Sequence, residues 1–414
     1  MVDVRRWGKN MAAVLDRPSV TDADRKQRAE LVARAAELVP VLAANARRTE
    51  DDRRVAEQNI AALTEAGLFR ITAPKRFGGW EVDFRTKLEV IRELGRGCGS
   101  TAWVASLVTG GAWFVGMWNE QVQADVWGAG PDARVAGVVA PGGTAELVDG
   151  GYRVSGKWAY CSGSLHADWL FLGVPVLGPD GAAVDHGAVL LPATDATIED
   201  TWFVTGMRGT GSNTVVARDV FVPRHRFVSV PRLLAGQTDT PFRDEALYRV
   251  PFAASAPLDL VGPQLGLARA ALDLVVAKAA GRGIAHTEYA SQTEAPTVQL
   301  AVAKAASLID VAELLAYRAA ADVDEAGWLG EFPDHVARTR VRMDIAQAVA
   351  HARDAIRELV SAHGAASFSE WNPLQRIWRD SEVASRHAVA NPAIGAQLYG
   401  RALLGLTEGV TANV

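Results

Sequence analysis

The sequence predicts a mostly helical α+β fold, with a helical region, a middle β-domain and a second helical bundle in that order. Three observations predict it. Apolar residues recur at helical spacing from about Thr21 to Gly130. From about Ala133 to Pro231 they alternate in short runs between Gly, Pro and Asp, as in half-buried strands. From about Pro251 the helical period returns and persists. The expected domains are 1–130 (helical), 131–235 (β) and 236–414 (bundle).

In the first region Ile60 and Leu63 sit one turn apart, and Gly67 is placed to end their helix. The segment Pro74–Trp80 reads as a loop by its Pro and Gly content. Leu88 to Leu94 resume the helical period, and Cys98-Gly99-Ser100 offer a cap for the helix carrying Trp103. In the middle region Tyr152, Val154, Trp158 and Tyr160 alternate with smaller or polar residues. Val135–Val139, Trp169–Val176, Ala188–Leu191 and Val215–Val222 are further strand candidates, so a small sandwich or barrel is expected. In the last region one face runs Leu265, Ala268, Leu272, Val275, Ala279, with Gly281 as a stop. A second runs Val298, Val302, Ala305, Ile309, Ala312, Ala316 behind Pro296. A third runs Ile345, Val349, Ala352, Ile356, Leu359 up to His363-Gly364. Many of these are Ala, which permits close helix packing.

The chain has 414 residues, 49% of them hydrophobic and 22% charged, which suits a globular protein with a sizeable core. Its net charge is −5, and its basic residues alternate with acids, so no nucleic-acid partner is expected. Two distant cysteines, Cys98 and Cys161, give no disulfide framework and fit a reducing cytoplasm. Met1–Asn10 lacks the apolar core of a leader, and no stretch of about 20 apolar residues is expected to span a membrane. The histidines form no HxH or HExxH pair, so no metal is expected. No GxGxxG unit is present for a nicotinamide cofactor.

Four segments carry a resemblance. They are Phe77–Trp80 (FGGW) after Leu63–Phe69, Gly156–Trp169 (GKWAYCSGSLHADW), Gly206–Asn213 (GMRGTGSN) followed by Asp219–Pro223, and Leu374–Asp380 (LQRIWRD). In order and spacing, from about residue 30 to 405, they resemble the acyl-CoA dehydrogenase-fold superfamily. Two chemistries compete within it. The dehydrogenases commonly place a glutamate base shortly past the RD pair, whereas Ser385–Pro392 here holds no carboxylate. His387 stands eight residues after Arg379, with Asn391-Pro392 following. That pattern, with W-x-Y-x-S-G at Trp158–Gly163, resembles the oxygenase component of two-component flavin-dependent monooxygenases.

The resemblance implies reduced flavin (FADH2 or FMNH2), dioxygen as co-substrate, a separate flavin reductase and a homotetramer. It implies oxygen transfer through a flavin hydroperoxide kept dry in its pocket. The substrate would be aromatic, polycyclic or indole-like; a nucleotide-linked amino sugar, an acyl-CoA dehydrogenase and a silent scaffold are the alternatives. Ser162 is either a donor to the flavin's central ring or a plain turn serine before Gly163. Cys161, by strand alternation, would be a core side chain with only a backbone contact to flavin. His387 is either a base or hydrogen-bond partner to substrate, or a structural histidine of a helix. Trp158, Arg208, Gly209, Thr210, Gly211, Ser212 and Arg379 are candidate flavin contacts. Arg282, Gln292 and Gln299 resemble a segment that reaches flavin from a neighbouring subunit, the alternative being a solvated helix end. Trp103 is either an aromatic lining the substrate pocket or a core tryptophan, and Gly111 and Asn391 are expected to line that pocket. Gly111 stands where simple phenol hydroxylases often have histidine, and the lost imidazole would leave room for a larger substrate.

Overall fold

A computed structural model describes residues 19–407, 410 and 411; the Met1–Asn10 segment lies outside them. Helices come first: α1 (Asp22–Ala44), α2 (Ala46–Asp51), α3 (Glu57–Glu65), α4 (Phe84–Gly97), α5 (Gly99–Gly116) and α6 (Glu120–Trp127). Local chemistry sets their starts. Thr21 and Asp24 form a reciprocal capping box on α1, and Asp83 accepts from the Thr86 N–H at 2.8 Å on α4. The cap expected before Trp103 falls on Cys98, which supplies no side-chain hydrogen bond to the helix end.

Eight strands follow: β1 (Val135–Pro141), β2 (Gly143–Val148), β3 (Gly151–Cys161), β4 (Trp169–Leu177), β5 (Ala183–Pro192), β6 (Thr197–Glu199), β7 (Asn213–Pro223) and β8 (Phe227–Ser229). They form one sheet in the order β6-β7-β3-β2-β4-β5-β8, with β1 parallel to β4. The inward residues of both halves, among them Val154, Leu172, Val189 and Val215, pack into one core. Tyr160 departs from the expected alternation. Its φ is +64°, it is 73% exposed, and the β3–β7 register shifts between Trp158 and Cys161. This is a β-bulge, and it turns Trp158 and Cys161 together onto the inner face.

The last part is helical: α7 (Val230–Leu234), α8 (Phe252–Ser255), α9 (Val261–Ala279), α10 (Pro296–Leu329), α11 (His335–His363), α12 (Pro373–Ala384) and α13 (Pro392–Leu403). Apart from half-buried Val302, all the expected face residues of α9, α10 and α11 are buried. Pro296 opens α10, and Gly364 closes α11. The core of α9–α11 is continuous with that of α4 and α5, so the first helices and the bundle share one interior. The expectation of no long apolar stretch needs correction. Phe252–Ala279 is long and apolar enough to cross a membrane by length and composition, with 67% of its apolar window buried inside the fold. The stretch meets that test because α9 is buried on every side from Val261 to Ala268 before it becomes one-sided.

Candidate functional site

Ser162 follows the last residue of β3, and Ser212 precedes the first residue of β7. The pairing of Cys161 with Asn213 sets the two serines side by side. Beyond the bulge, Cys161 points into the sheet core, where burial pushes its thiol up to about 12, while Ser162 faces the helices. Ser162 Oγ lies 2.7 Å from Ser212 Oγ, which lies 2.6 Å from Thr210 Oγ1. Thr210 Oγ1 donates to the Met207 carbonyl at 2.8 Å, and Trp103 Nε1 donates to Ser162 Oγ at 3.2 Å. Each hydroxyl has one hydrogen. The chain therefore runs in one direction, from the Trp103 indole through Ser162, Ser212 and Thr210 to a carbonyl. All four side chains are buried.

Trp103, on α5, also reaches the C-terminal part: its ring centroid is 6.1 Å from that of His387. His387 is not on a helix, as expected, but in the turn after α12. Its Nδ1 accepts from the Val389 N–H at 3.4 Å. An accepting Nδ1 places the neutral ring's proton on Nε2. The residue is exposed. Crowding around the ring, and then the Arg342 guanidinium, hold its pKa below the ordinary value, so the neutral form prevails at pH 7. Arg342, on α11, was missed by sequence reasoning.

The loop Gly206–Ser212 is fixed from below by α12. A Cβ on Gly206 would fall 2.1 Å from the Arg379 carbonyl, so the loop lies on the helix backbone. Asp380 accepts from the Met207 N–H at 2.5 Å, and its complete burial raises its pKa to about 6. Gly209 and Gly211 sit in this loop, Gly211 with φ +53°.

Several expected site residues are placed differently. Trp158 is a core residue of the β-domain, 1% exposed, its indole N–H bound to the Gly173 carbonyl at 2.7 Å. The bulge removed it from the face that strict alternation shares with Ser162. Gly111 leaves no room, because a Cβ there would meet the Val135 carbonyl oxygen at 2.2 Å. Strand β1 fills the space that an imidazole would need. Asn391 caps α13, accepting from the Ala393 and Ile394 N–H groups. Arg208 bonds the Glu50 and Val204 carbonyls, and Arg379 pairs with Glu50 and bonds Gln375 and the Thr205 carbonyl. Both guanidinia tie α2 and α12 to the loop instead of standing free for a phosphate. Arg282 lies against His363, whose pKa falls to about 4 through burial and then that guanidinium. Gln292 is buried with its carboxamide oxygen unpartnered among the described residues, and Gln299 donates to Thr293.

The residues around Ser162 fit a flavin. Three buried hydroxyls in series, ending at an indole that has a neutral imidazole 6.1 Å from its ring, suit a flat ring with polar edges. Ser162, Thr210, Ser212 and the Gly209–Gly211 backbone would hold it.

Comparison with known proteins agrees with this geometry. Residues 21–127 match the acyl-CoA dehydrogenase N-terminal domain, and residues 258–392 match the acyl-CoA dehydrogenase C-terminal domain. The chain is 36% identical over 370 residues to the oxygenase subunit HsaA of a flavin-dependent monooxygenase from Rhodococcus jostii, covering 89% of this chain and 97% of that one. It is 37% identical over 402 residues to the oxygenase component of an FADH2-dependent resorcinol hydroxylase from a Rhizobium species, covering 93% and 96%. The solved structure of XiaF from a Streptomyces species, in complex with FADH2 and glycerol, superposes with a TM-score of 0.89. It is 39% identical, and the match covers 94% of this chain and 98% of that one.

Proposed function

The chain belongs to the acyl-CoA dehydrogenase family, as the oxygenase component of a two-component flavin-dependent monooxygenase, and on that premise we propose that it hydroxylates an aromatic substrate at the Trp103–Ser162–His387 cluster. Its cofactor is reduced flavin, FADH2 or FMNH2, supplied by a separate reductase. When bound, reduced flavin supplies the activation of dioxygen for oxygen transfer.

The chain's own residues do three things. The hydroxyl series fixes hydrogens at one ring edge. Ser162 gives its hydrogen to Ser212 in the arrangement described, so donation to a bound ring requires Ser162 to turn its O–H outward. Ser212 and Thr210 can follow by reversing in step. Trp103 keeps donating to Ser162 in either arrangement and excludes water from that side. His387, neutral with hydrogen on Nε2, presents a donor to an oxygen on the substrate.

One observation carries the choice of chemistry. The cluster contains hydroxyls, an indole and an imidazole, while the buried carboxylates among the described residues hold other partners: Glu93 with Arg92 and Arg96, Asp259 with Lys87, Glu313 with Arg92 and Arg269, Asp324 with the Phe84 and Arg85 N–H groups, Asp344 with Arg318, and Asp380, beneath the loop, with the Met207 N–H. A thioester-deprotonating base is thus not supplied by any of these. The remaining features of the proposal are a cytoplasmic homotetramer in which Arg282, Gln292 and Gln299 reach the flavin of a neighbouring copy. The test is turnover with reduced flavin, isotopically labelled dioxygen and a panel of phenols, naphthols and indoles. The proposal expects one labelled oxygen atom in the product. Bleaching of bound oxidised flavin by an acyl-CoA, with no label incorporated, overturns it.

A further inference from the structure

Among the described residues three arginines are buried to below a tenth of their surface: Arg28, Arg85 and Arg342. Arg28 bonds Thr86 and faces Asp83 and Glu89, and Arg85 pairs with Glu89. Arg342, 7% exposed, has no hydrogen bond or ion pair among the described residues, and its Nε is shut from solvent without an acceptor. Its neighbours along α11 also carry a buried, unpartnered Nε, but each holds a partner on another nitrogen. Arg338 bonds the Pro333 carbonyl, and Arg340 pairs with Asp322 at 2.7 Å. A guanidinium cannot shed its charge in a protein, so a buried one without an acceptor is costly unless something else supplies the acceptor.

Its place in the fold indicates what that is. The helix α11 is packed against the Ala388–Ala390 turn that His387 opens and against α13, where Gly395 faces the Arg342 carbonyl. Burial lowers the pKa of Arg342 with no carboxylate to offset it, and its charge is felt at His387. We propose that Arg342 is an oxyanion subsite beside His387, binding a carboxylate or phenolate carried by the aromatic substrate. The guanidinium would take a carboxylate in a fork of two N–H donors, or a phenolate through one or both. Arg342 would then set which substrates are accepted and how the ring is turned toward His387. This inference deepens the proposed hydroxylation and rests on it for the aromatic ring. Its binding test needs neither flavin nor turnover.

The experiment is calorimetric titration of the full chain at pH 7.5 with 2-naphthoate, 2-naphthamide and 2-naphthol, for wild type, Arg342→Gln and Arg342→Lys. If the subsite takes a carboxylate, wild type binds 2-naphthoate about tenfold or more tighter than 2-naphthamide, as a charge-assisted pair requires. If it takes a phenolate, bound 2-naphthol shows the red-shifted absorbance of its anion. In either case Arg342→Gln removes the preference while leaving 2-naphthamide affinity nearly unchanged, and Arg342→Lys keeps part of it. A merely structural arginine would lower the melting temperature when replaced. The proposal expects Arg342→Gln to match or exceed the wild-type value, because it removes a buried charge without orphaning a partner. Equal binding of acid and amide together with no spectral shift overturns the proposal, as does a preference that survives in Arg342→Gln. Anion preference without labelled product in the turnover assay would overturn the hydroxylation reading and leave the subsite standing.

Discussion

The indole nitrogen of Trp103 stands 3.2 Å from the hydroxyl oxygen of Ser162, and the two come from parts of the chain 59 residues apart. Replacing Trp103 by Phe keeps an aromatic ring there and removes the N–H together with part of the indole. A hydrogen bond of this kind contributes on the order of 1 kcal/mol, so product formed per reduced flavin consumed should fall by roughly fivefold, with hydrogen peroxide making up the difference. An unchanged coupling ratio would separate the indole from the chemistry.

Ser162 and Ser212 are 2.7 Å apart and share one hydrogen. The effects of Ser162→Ala and Ser212→Ala on reduced-flavin affinity should therefore not add. A double-mutant cycle is expected to return a coupling of about 1 kcal/mol. Strict additivity would mean the hydroxyls act separately.

His387 is expected to work in its neutral form. Its pKa is lowered by burial and then by Arg342, so the fall in product formation on acidification should come at a lower pH than an ordinary histidine would give. His387→Ala should slow product formation by about 100-fold, the usual size for loss of a proton-handling group, and His387→Gln should recover part of it through its amide donor. Single-turnover product analysis checks both.

Gly111→Ala should destabilise the fold by about 2 kcal/mol or more, because its methyl group would stand 2.2 Å from the Val135 carbonyl oxygen. Urea unfolding measures it. Full stability with an altered substrate range would return Gly111 to the pocket.

Asp380 gives a pH signature. Its folded pKa, about 6, lies above its ordinary value of 3.8, so the folded state holds the proton longer than the unfolded chain. Stability from this group is complete below about pH 4 and is lost as pH rises through 6, by up to roughly 3 kcal/mol. Asp380→Asn should flatten that decline. The difference between the two urea midpoints, followed from pH 4 to 7, reports it free of other titrations.

Much of this was legible in the sequence, and the exceptions have physical causes. The bundle faces were readable because a helix buried on one side repeats every three or four residues, as Leu265 to Ala279 do. Strand alternation placed Ser162 and Cys161 on opposite faces, and they are. The same rule failed at Trp158, because a bulge at Tyr160 inserts a residue that no local pattern announces. Gly111 misled because a sequence shows a missing side chain but not the strand filling its place. Arg342 did leave a signal. It falls three residues before Ile345 and seven before Val349, on the apolar face of α11, where a lone arginine is out of keeping.

The reacting centre draws Trp103 from an early helix, Ser162 from the sheet and His387 from a late turn. A chimaera that grafted only a relative's strand region into this protein would import a new serine edge without the indole matched to it. Such hybrids should keep the shape and lose the coupling. Exchanges that alter substrate choice while sparing the chemistry would instead have to fall away from that three-way seam, on the helix that bears Arg342.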